Sequence, residues 1–218
     1  MKTFTVIFCL VCSVVAQDSF YDVELFTTTE LNEDFANFLN LLPVDTILDI
    51  ADEHYENNAG LNKTLNYIRT NKFETHWIDL FALREVNNFL VYVSDSHVNV
   101  FGLLNKFAEY FELSPVDFEF VEFEEPVEKV EFTWGFNALI NDVSAVFPKD
   151  DLKALFDQKV AEGKEFTEFV QRFSTDEFKQ LLQKLEASSS AEKLLKRFRK
   201  HGLDAYKLVQ LVLAVFGL

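Results

Sequence analysis

Asp95, Ser96 and His97 are the three residue types of a hydrolytic triad, standing side by side. A serine, an imidazole and a carboxylate relay a proton only when they converge in space, and consecutive loop positions do not converge by adjacency. Ser96 therefore reads as the cap of a helix beginning near His97. His54 lies among Asp52, Glu53 and Glu56, a donor set that suits a cation, but at helical spacing it reads as a solvated acidic face. His76, just before Trp77, and His201, at the end of a basic stretch, carry no assigned role. The sequence has no GxSxG elbow, no HExxH pair and no glycine-rich phosphate loop, and its six glycines are scattered. No catalytic residue, metal ligand or cofactor is expected, and the chain does not read as an enzyme.

Lys2, the apolar run from Phe4 to Leu10, and the small residue Ala16 after Val15 have the form of a signal peptide over residues 1–16. Both cysteines, Cys9 and Cys12, fall inside it, so the mature chain would have neither a disulfide nor a thiolate metal site. No later stretch holds the roughly 18 uninterrupted apolar residues of a spanning helix. A secreted, soluble protein held by its own core is expected. Without Lys2 there remain 19 basic side chains against 36 acidic ones, a balance that argues against nucleic acid as a partner.

Two surface features stand apart from that acidity. Lys193, Lys196, Arg197, Arg199 and Lys200 alternate with Leu194, Leu195 and Phe198, an amphipathic pattern that could meet anionic lipid heads through Lys196, Arg197 and Lys200. The alternative is a solvated face whose cations sit at the negative end of a helix. Asn62-Lys63-Thr64 is a glycosylation sequon, with Asn62 expected to point outward.

The elements that would hold these residues are short helices in two copies. At an offset of 105 residues the chain superposes on itself without a gap, pairing Pro43 with Pro148, Asp45 with Asp150, Thr70 with Thr175 and Phe73 with Phe178. Apolar positions stay in phase: Ile47 with Leu152, Ile50 with Leu155, Leu61 with Phe166, Leu65 with Val170 and Ile68 with Phe173. The same holds for Trp77 with Leu182, Leu80 with Leu185, Phe101 with Tyr206, Leu104 with Val209 and Phe107 with Val212. The reading is an N-terminal segment at 17–29, a first unit at 30–113, an acidic linker at 114–134 and a second unit at 135–218. From Phe118 to Phe123 the linker alternates apolar residues with glutamate, as an extended segment does.

Within each unit the period is helical. Leu61, Leu65 and Ile68 fall on one face, as do Phe73, Trp77, Leu80 and Phe81. Pro43 and Pro148 suit first helical positions, and Ser174 with Glu177 and Ser189 with Glu192 have the capping-box spacing. About six short helices per unit follow, making an all-α fold. The closing segments Val98–Leu113 and Leu203–Phe216 are apolar around most of their circumference and must be surrounded. Of 25 phenylalanines only Phe4 and Phe8 leave with the leader. Such a load makes either a dense core or the wall of an apolar space, and periodicity does not separate the two.

Leu41-Leu42-Pro43 with Val44–Ile50, Tyr67-Ile68 with Phe73, and the closing Phe101–Leu113 together resemble the insect allergen-related repeat. That family includes the tandem-repeat cockroach allergens, mosquito midgut proteins induced by a blood meal, and the nitrile-specifier proteins of butterfly larvae. The second unit matches again at Phe147-Pro148, Leu152–Phe156, Phe173 with Phe178, and Leu203–Leu218, and the length looks most like the mosquito members. The resemblance implies one capsule of about twelve helices around a large apolar cavity, secreted into the gut lumen, with fatty acids or phospholipids as cargo.

The in-phase apolar positions are then the candidate lining. In the first unit these are Ile47, Ile50, Leu65, Ile68, Trp77, Leu80, Phe101, Leu104 and Phe107. In the second they are Leu152, Leu155, Phe166, Val170, Leu185, Tyr206, Val209 and Val212. Each buried CH₂ contributes about 0.8 kcal/mol, so a chain of about sixteen carbons needs no elaborate polar site. Two other functions follow from the same residues and resemblance: lipid exchange that lyses bilayers, and a detoxification role like that of the nitrile-specifier proteins.

Overall fold

The computed structural model describes residues 25–116 and 135–204, together with 207, 211, 214 and 215. Eleven helices follow one another: α1 (Thr29–Leu39), α2 (Val44–Asn57), α3 (Ala59–Ile68), α4 (Asn71–Ala82), α5 (Arg84–Asp95), α6 (Val100–Tyr110), α7 (Gly135–Ala145), α8 (Lys149–Glu162), α9 (Glu165–Arg172), α10 (Asp176–Ala187) and α11 (Ser189–Lys200). Lys207, Leu211, Ala214 and Val215 are helical as well. The fold is all-α; the described residues contain no strand beyond one isolated bridge between Phe26 and Val98. The alternating segment Phe118–Phe123 and most of the closing apolar segment, with the lining candidates Tyr206, Val209 and Val212, lie outside the described residues.

Local chemistry sets the helix starts. The side chains of Thr28, Asn58, Thr70, Asn99, Thr175 and Ser188 each accept a backbone N–H of the first turn, filling acceptor roles the helix leaves empty. The capping boxes expected from Ser174 and Ser189 are replaced by simple caps one residue away, in opposite directions. Thr175 caps Phe178 N and Ser188 caps Ala191 N, and neither Phe178 nor Ala191 has the side chain a box requires. Pro43 and Pro148 also sit one position earlier than expected, just before α2 and α8, with matching backbone angles of φ −77° and ψ 73° and 75°. Gly163 ends α8 in the left-handed region at φ 69°, where a side chain would be strained.

The helix bounds recur at an interval of 105 residues: α2 with α8, α4 with α10 and α5 with α11 coincide at both ends. Packing follows the same correspondence. Helices α2 and α3 lie on α7 as α8 and α9 lie on α1, and α5 lies on α10 as α11 lies on α4. The two halves of the sequence are thus packed through each other rather than side by side.

The interior is aromatic. Trp77 stacks on Phe107 with ring centroids 5.1 Å apart and meets Phe81 edge-on at 4.5 Å. Phe38 stacks on Phe166 at 5.6 Å, joining α1 to α9. Phe38, Phe89, Phe107 and Phe166 are all but inaccessible, and each such burial stabilises by about 1.5–3 kcal/mol. One ion pair is also inside: Lys159 of α8 reaches Asp34 of α1 at 2.5 Å, with side chains only 13% and 9% exposed. The hydrogen bond to Asp34, aided by the charges of Asp34, Glu162 and Glu30, holds the Lys159 ammonium above its usual range against the opposing effect of burial.

Candidate functional site

Two features combine recognisable chemistry with access: a set of partly covered apolar side chains, and a polar cleft beside α2. The first is seen in α2. Its amphipathic stripe faces the body, yet no residue of α2 is fully buried. Ile47 packs against the core while remaining half-covered, and its counterpart helix α8 buries only Leu152. An amphipathic helix in direct contact with a solid core would bury its stripe. Leu65, Phe101, Leu155 and Val170 share the half-buried state, whereas Ile68, Trp77, Leu80, Leu104, Phe107, Leu152, Phe166 and Leu185 are enclosed by protein. The candidate lining therefore falls into two sets, one still accessible and one committed to packing.

Ile50 belongs to the cleft. This opening of about 580 Å³ lies between the C-terminal half of α2, the start of α3 and α7, and is lined by Ile50, Glu53, His54, Asn57, Asn58, Ala59 and Asp142. Its geometry is built from a helix cap. Asn58 Oδ1 accepts Gly60 N and Leu61 N, both at 3.0 Å, so the Asn58 Nδ2 amide is turned toward His54 Nδ1 at 3.0 Å. Nδ1 must then accept, which places the ring proton on Nε2, and Nε2 donates to Asp142 Oδ2 at 2.8 Å. Glu53 and Asp142 are the acidic side chains of this cleft. No group of three or more histidine, cysteine, aspartate or glutamate side chains arranged to hold a metal ion occurs among the described residues.

A second polar cluster is closed off. At the junction of α3, α4 and α11, the Tyr67 hydroxyl and His76 Nδ1 are 2.8 Å apart, and His201 stacks on the Tyr67 ring at 3.6 Å. Thr64, fully buried, donates to the His201 carbonyl at 2.7 Å. Burial, with the nearby cations Arg197 and Lys72, pulls His76 down to about 4; burial, with Lys72 and Lys200, does the same to His201. Burial raises the Tyr67 phenol and the Asp79 carboxyl, with Arg197 opposing both.

The remaining sequence candidates find definite places. Lys196 is exposed on α11, whereas Arg197 and Lys200 are half-buried and act on the Tyr67 cluster. Asn62 donates to the Tyr55 carbonyl at 3.0 Å from the surface of α3. Ser96 is not the expected cap: it ends α5, with its hydroxyl donating to the Tyr92 carbonyl at 2.8 Å, and Asn99 caps the next helix. His97, at φ 67°, contacts Thr27, so Asp95, Ser96 and His97 form no relay. Asp142 and Asn58 are the cleft residues that sequence reasoning missed. Asn58 was visible as a cap type before Ala59; Asp142 lies 88 residues from His54 and carries no local signal.

The chain is all-α, with three pairs of helices whose bounds lie 105 residues apart, and comparison places it further. Residues 30–209 match the family described as insect allergen related repeat, nitrile-specifier detoxification, and the chain belongs to that family. It is 27% identical over 191 residues to Protein G12 of Anopheles gambiae, covering 88% of this chain and 89% of that protein.

Proposed function

We propose that this chain is a secreted carrier that holds acyl chains, as fatty acids or phospholipids, in an apolar interior, without catalytic turnover, and works in the midgut lumen of an insect. The observation that carries the reading is α2, an amphipathic helix in which Ile47, Leu48, Ile50 and Ala51 are partly covered and no residue is buried. Apolar side chains left partly accessible on a body rich in phenylalanine suit a hydrocarbon chain, for which burial is the main driving force. Ile47, Leu65, Phe101, Leu155 and Val170 are the contacts we assign to it. The similarity to Protein G12 of Anopheles gambiae supports the insect setting.

Mass spectrometry of the purified protein, native and then after organic extraction, tests the proposal. Stoichiometric acyl chains are the expected result. Protein that is free of lipid and refuses added fatty acid would sink it.

Bilayer lysis draws on the cations of α11, but the apolar face of that helix is committed to the core through Ala191, Leu194 and Phe198, leaving only a charged outer face for contact. Leakage from anionic vesicles, lost on charge reversal at Lys196, Arg197 and Lys200, would favour it. A nitrile-specifier role is named in the family's description and has no residue assigned to it here. Product analysis with hydrolysing glucosinolates tests that role.

A further inference from the structure

The junction of α3, α4 and α11 has a counterpart where α5 meets α9 and α10, and the two are built from different charges. Tyr67 and Arg197 of the first are answered by Arg172 and Tyr92 of the second, a tyrosine and an arginine exchanged between helices. The other positions do not match: His76 and His201 give way to Leu181 and Ser96, and Lys72 and Lys200 to Glu177 and Asp95. We propose that the first junction is an acid-sensitive latch, which on acidification lets α11 come away from α3 and α4 as a unit while the rest of the fold stays closed.

Helix α11 has little else to hold it. It buries three residues, Ala191, Leu194 and Phe198, where its counterpart α5 buries six. Its C-terminal end is fixed at the junction: His201 stacks on Tyr67 at 3.6 Å, the His201 carbonyl accepts from Thr64 at 2.7 Å, and Phe198 lies beside Phe73 and His76 with ring centroids 5.4 and 6.2 Å away. His201 Nε2 is buried with no hydrogen-bond partner among the described residues. Whichever nitrogen carries the proton of the neutral ring, the charged ring has an N–H at Nε2 and no acceptor for it.

The surrounding charges are of the wrong sign for an imidazolium. Arg197, Lys72 and His201 act on His76, Lys72 and Lys200 act on His201, and no charge of α10, the other helix packed on α11, acts on either ring. Burial, and then these cations, hold both imidazoles at about 4, so a released α11 takes up protons that the closed junction refuses. The latch is at full strength above 6.5, the range of a free imidazole, and weakens as pH falls toward 4. Asp79, the acidic group of the junction, is raised by burial and opposes the release, one carboxyl against two rings.

Hydrogen exchange of the full chain, read by mass spectrometry in low urea at pH 7 and 5 and corrected for the intrinsic rate of each amide, separates release of α11 from unfolding. Exchange through a local opening depends weakly on urea and exchange through global unfolding depends steeply, because the slope follows the surface exposed. The amides of α11 are expected to show the shallow slope and those of α5 the steep one. Between pH 7 and 5 the protection of α11 should fall roughly tenfold. His76→Gln with His201→Gln should abolish that fall and keep the shallow slope. If this variant does not fold, Lys72→Gln with Lys200→Gln, which takes cations away from both rings, should shrink the fall. Equal urea slopes in α11 and α5, or a fall that the substitutions leave unchanged, would overturn the latch.

Discussion

Helices α4 and α10 have the same length, the same kind of threonine cap and bounds 105 residues apart, yet they bury different amounts. Helix α4 encloses Phe73, His76, Trp77, Leu80, Phe81 and Ala82, whereas α10 encloses Phe178 and Leu185. At the positions of Trp77 and Phe81 stand Leu182, which is smaller, and Glu186, which is charged. The next pair repeats the contrast: Tyr92 of α5 is buried, and Arg197 occupies its place in α11. A cap and a period of 3.6 residues are enough to make a helix in either half. Filling the space beside it takes side-chain volume, and there the first half is ahead.

The contrast can be broken most directly at Trp77. Trp77→Ala should cost about 3–5 kcal/mol in urea unfolding, because the vacated space is walled by Phe73, Phe81 and Phe107, while Leu182→Ala at the matching position should cost less than about 2. Equal losses would mean that the halves are equally dense. Next in size is the ion pair that joins them: Asp34→Ala strands a buried lysine and should cost about 3 kcal/mol, against under about 1 for Asp157→Ala in the exposed Lys153–Asp157 pair of the same helix.

Acid separates two matching junctions. His76 and His201 of the Tyr67 cluster are held at about 4, below the 6.5 of an exposed imidazole, so the unfolded chain takes up protons first as pH falls. Their contribution is fully present above 6.5 and is lost as pH drops toward 4, amounting to about 1–2 kcal/mol between pH 7 and 5 after solvent screening. Asp79, raised by burial, acts in the opposite direction. Urea midpoints of the His76→Gln, His201→Gln double variant should lose this fall and keep the remainder. At the matching junction of α5 with α9 and α10, Tyr92 donates to the Arg172 carbonyl at 2.7 Å and lies under the Arg172 guanidinium, and Leu181 and Ser96 stand at the positions of His76 and His201.

The smallest effects should show no contrast at all. Thr70→Ala and, in a Tyr92→Phe background that removes the 2.8 Å Tyr92–Thr175 hydroxyl contact, Thr175→Ala each remove one cap bond, to Phe73 N and Phe178 N respectively, both 3.2 Å long, and each should lower stability by about 1 kcal/mol. A large difference between them would show that even the caps depend on the density around them.

Much of this was legible in the residues. Pro43 and Pro148, Ser174 and Ser189, and the runs through Leu61 and Phe73 located helices to within a residue or two, because capping and periodicity act over one or two turns. Ser96 misled for the same reason: a serine before a helix is a cap by type, but its hydroxyl found the Tyr92 carbonyl in the turn behind it. The lining candidates were all apolar and in phase, and nothing in that pattern told Trp77, enclosed by rings, from Ile47, which remains half-covered.

The sequence by itself determined the helices, their recurrence at 105 residues and the apolar side that each turns inward, since these depend on neighbours a few positions apart. Tertiary structure alone decided that α2 lies on α7 and α8 on α1, that His54 meets Asp142, and that α4 is dense where α10 is not. Those outcomes depend on which distant surfaces meet and how much volume each brings, and a side chain carries no local record of either.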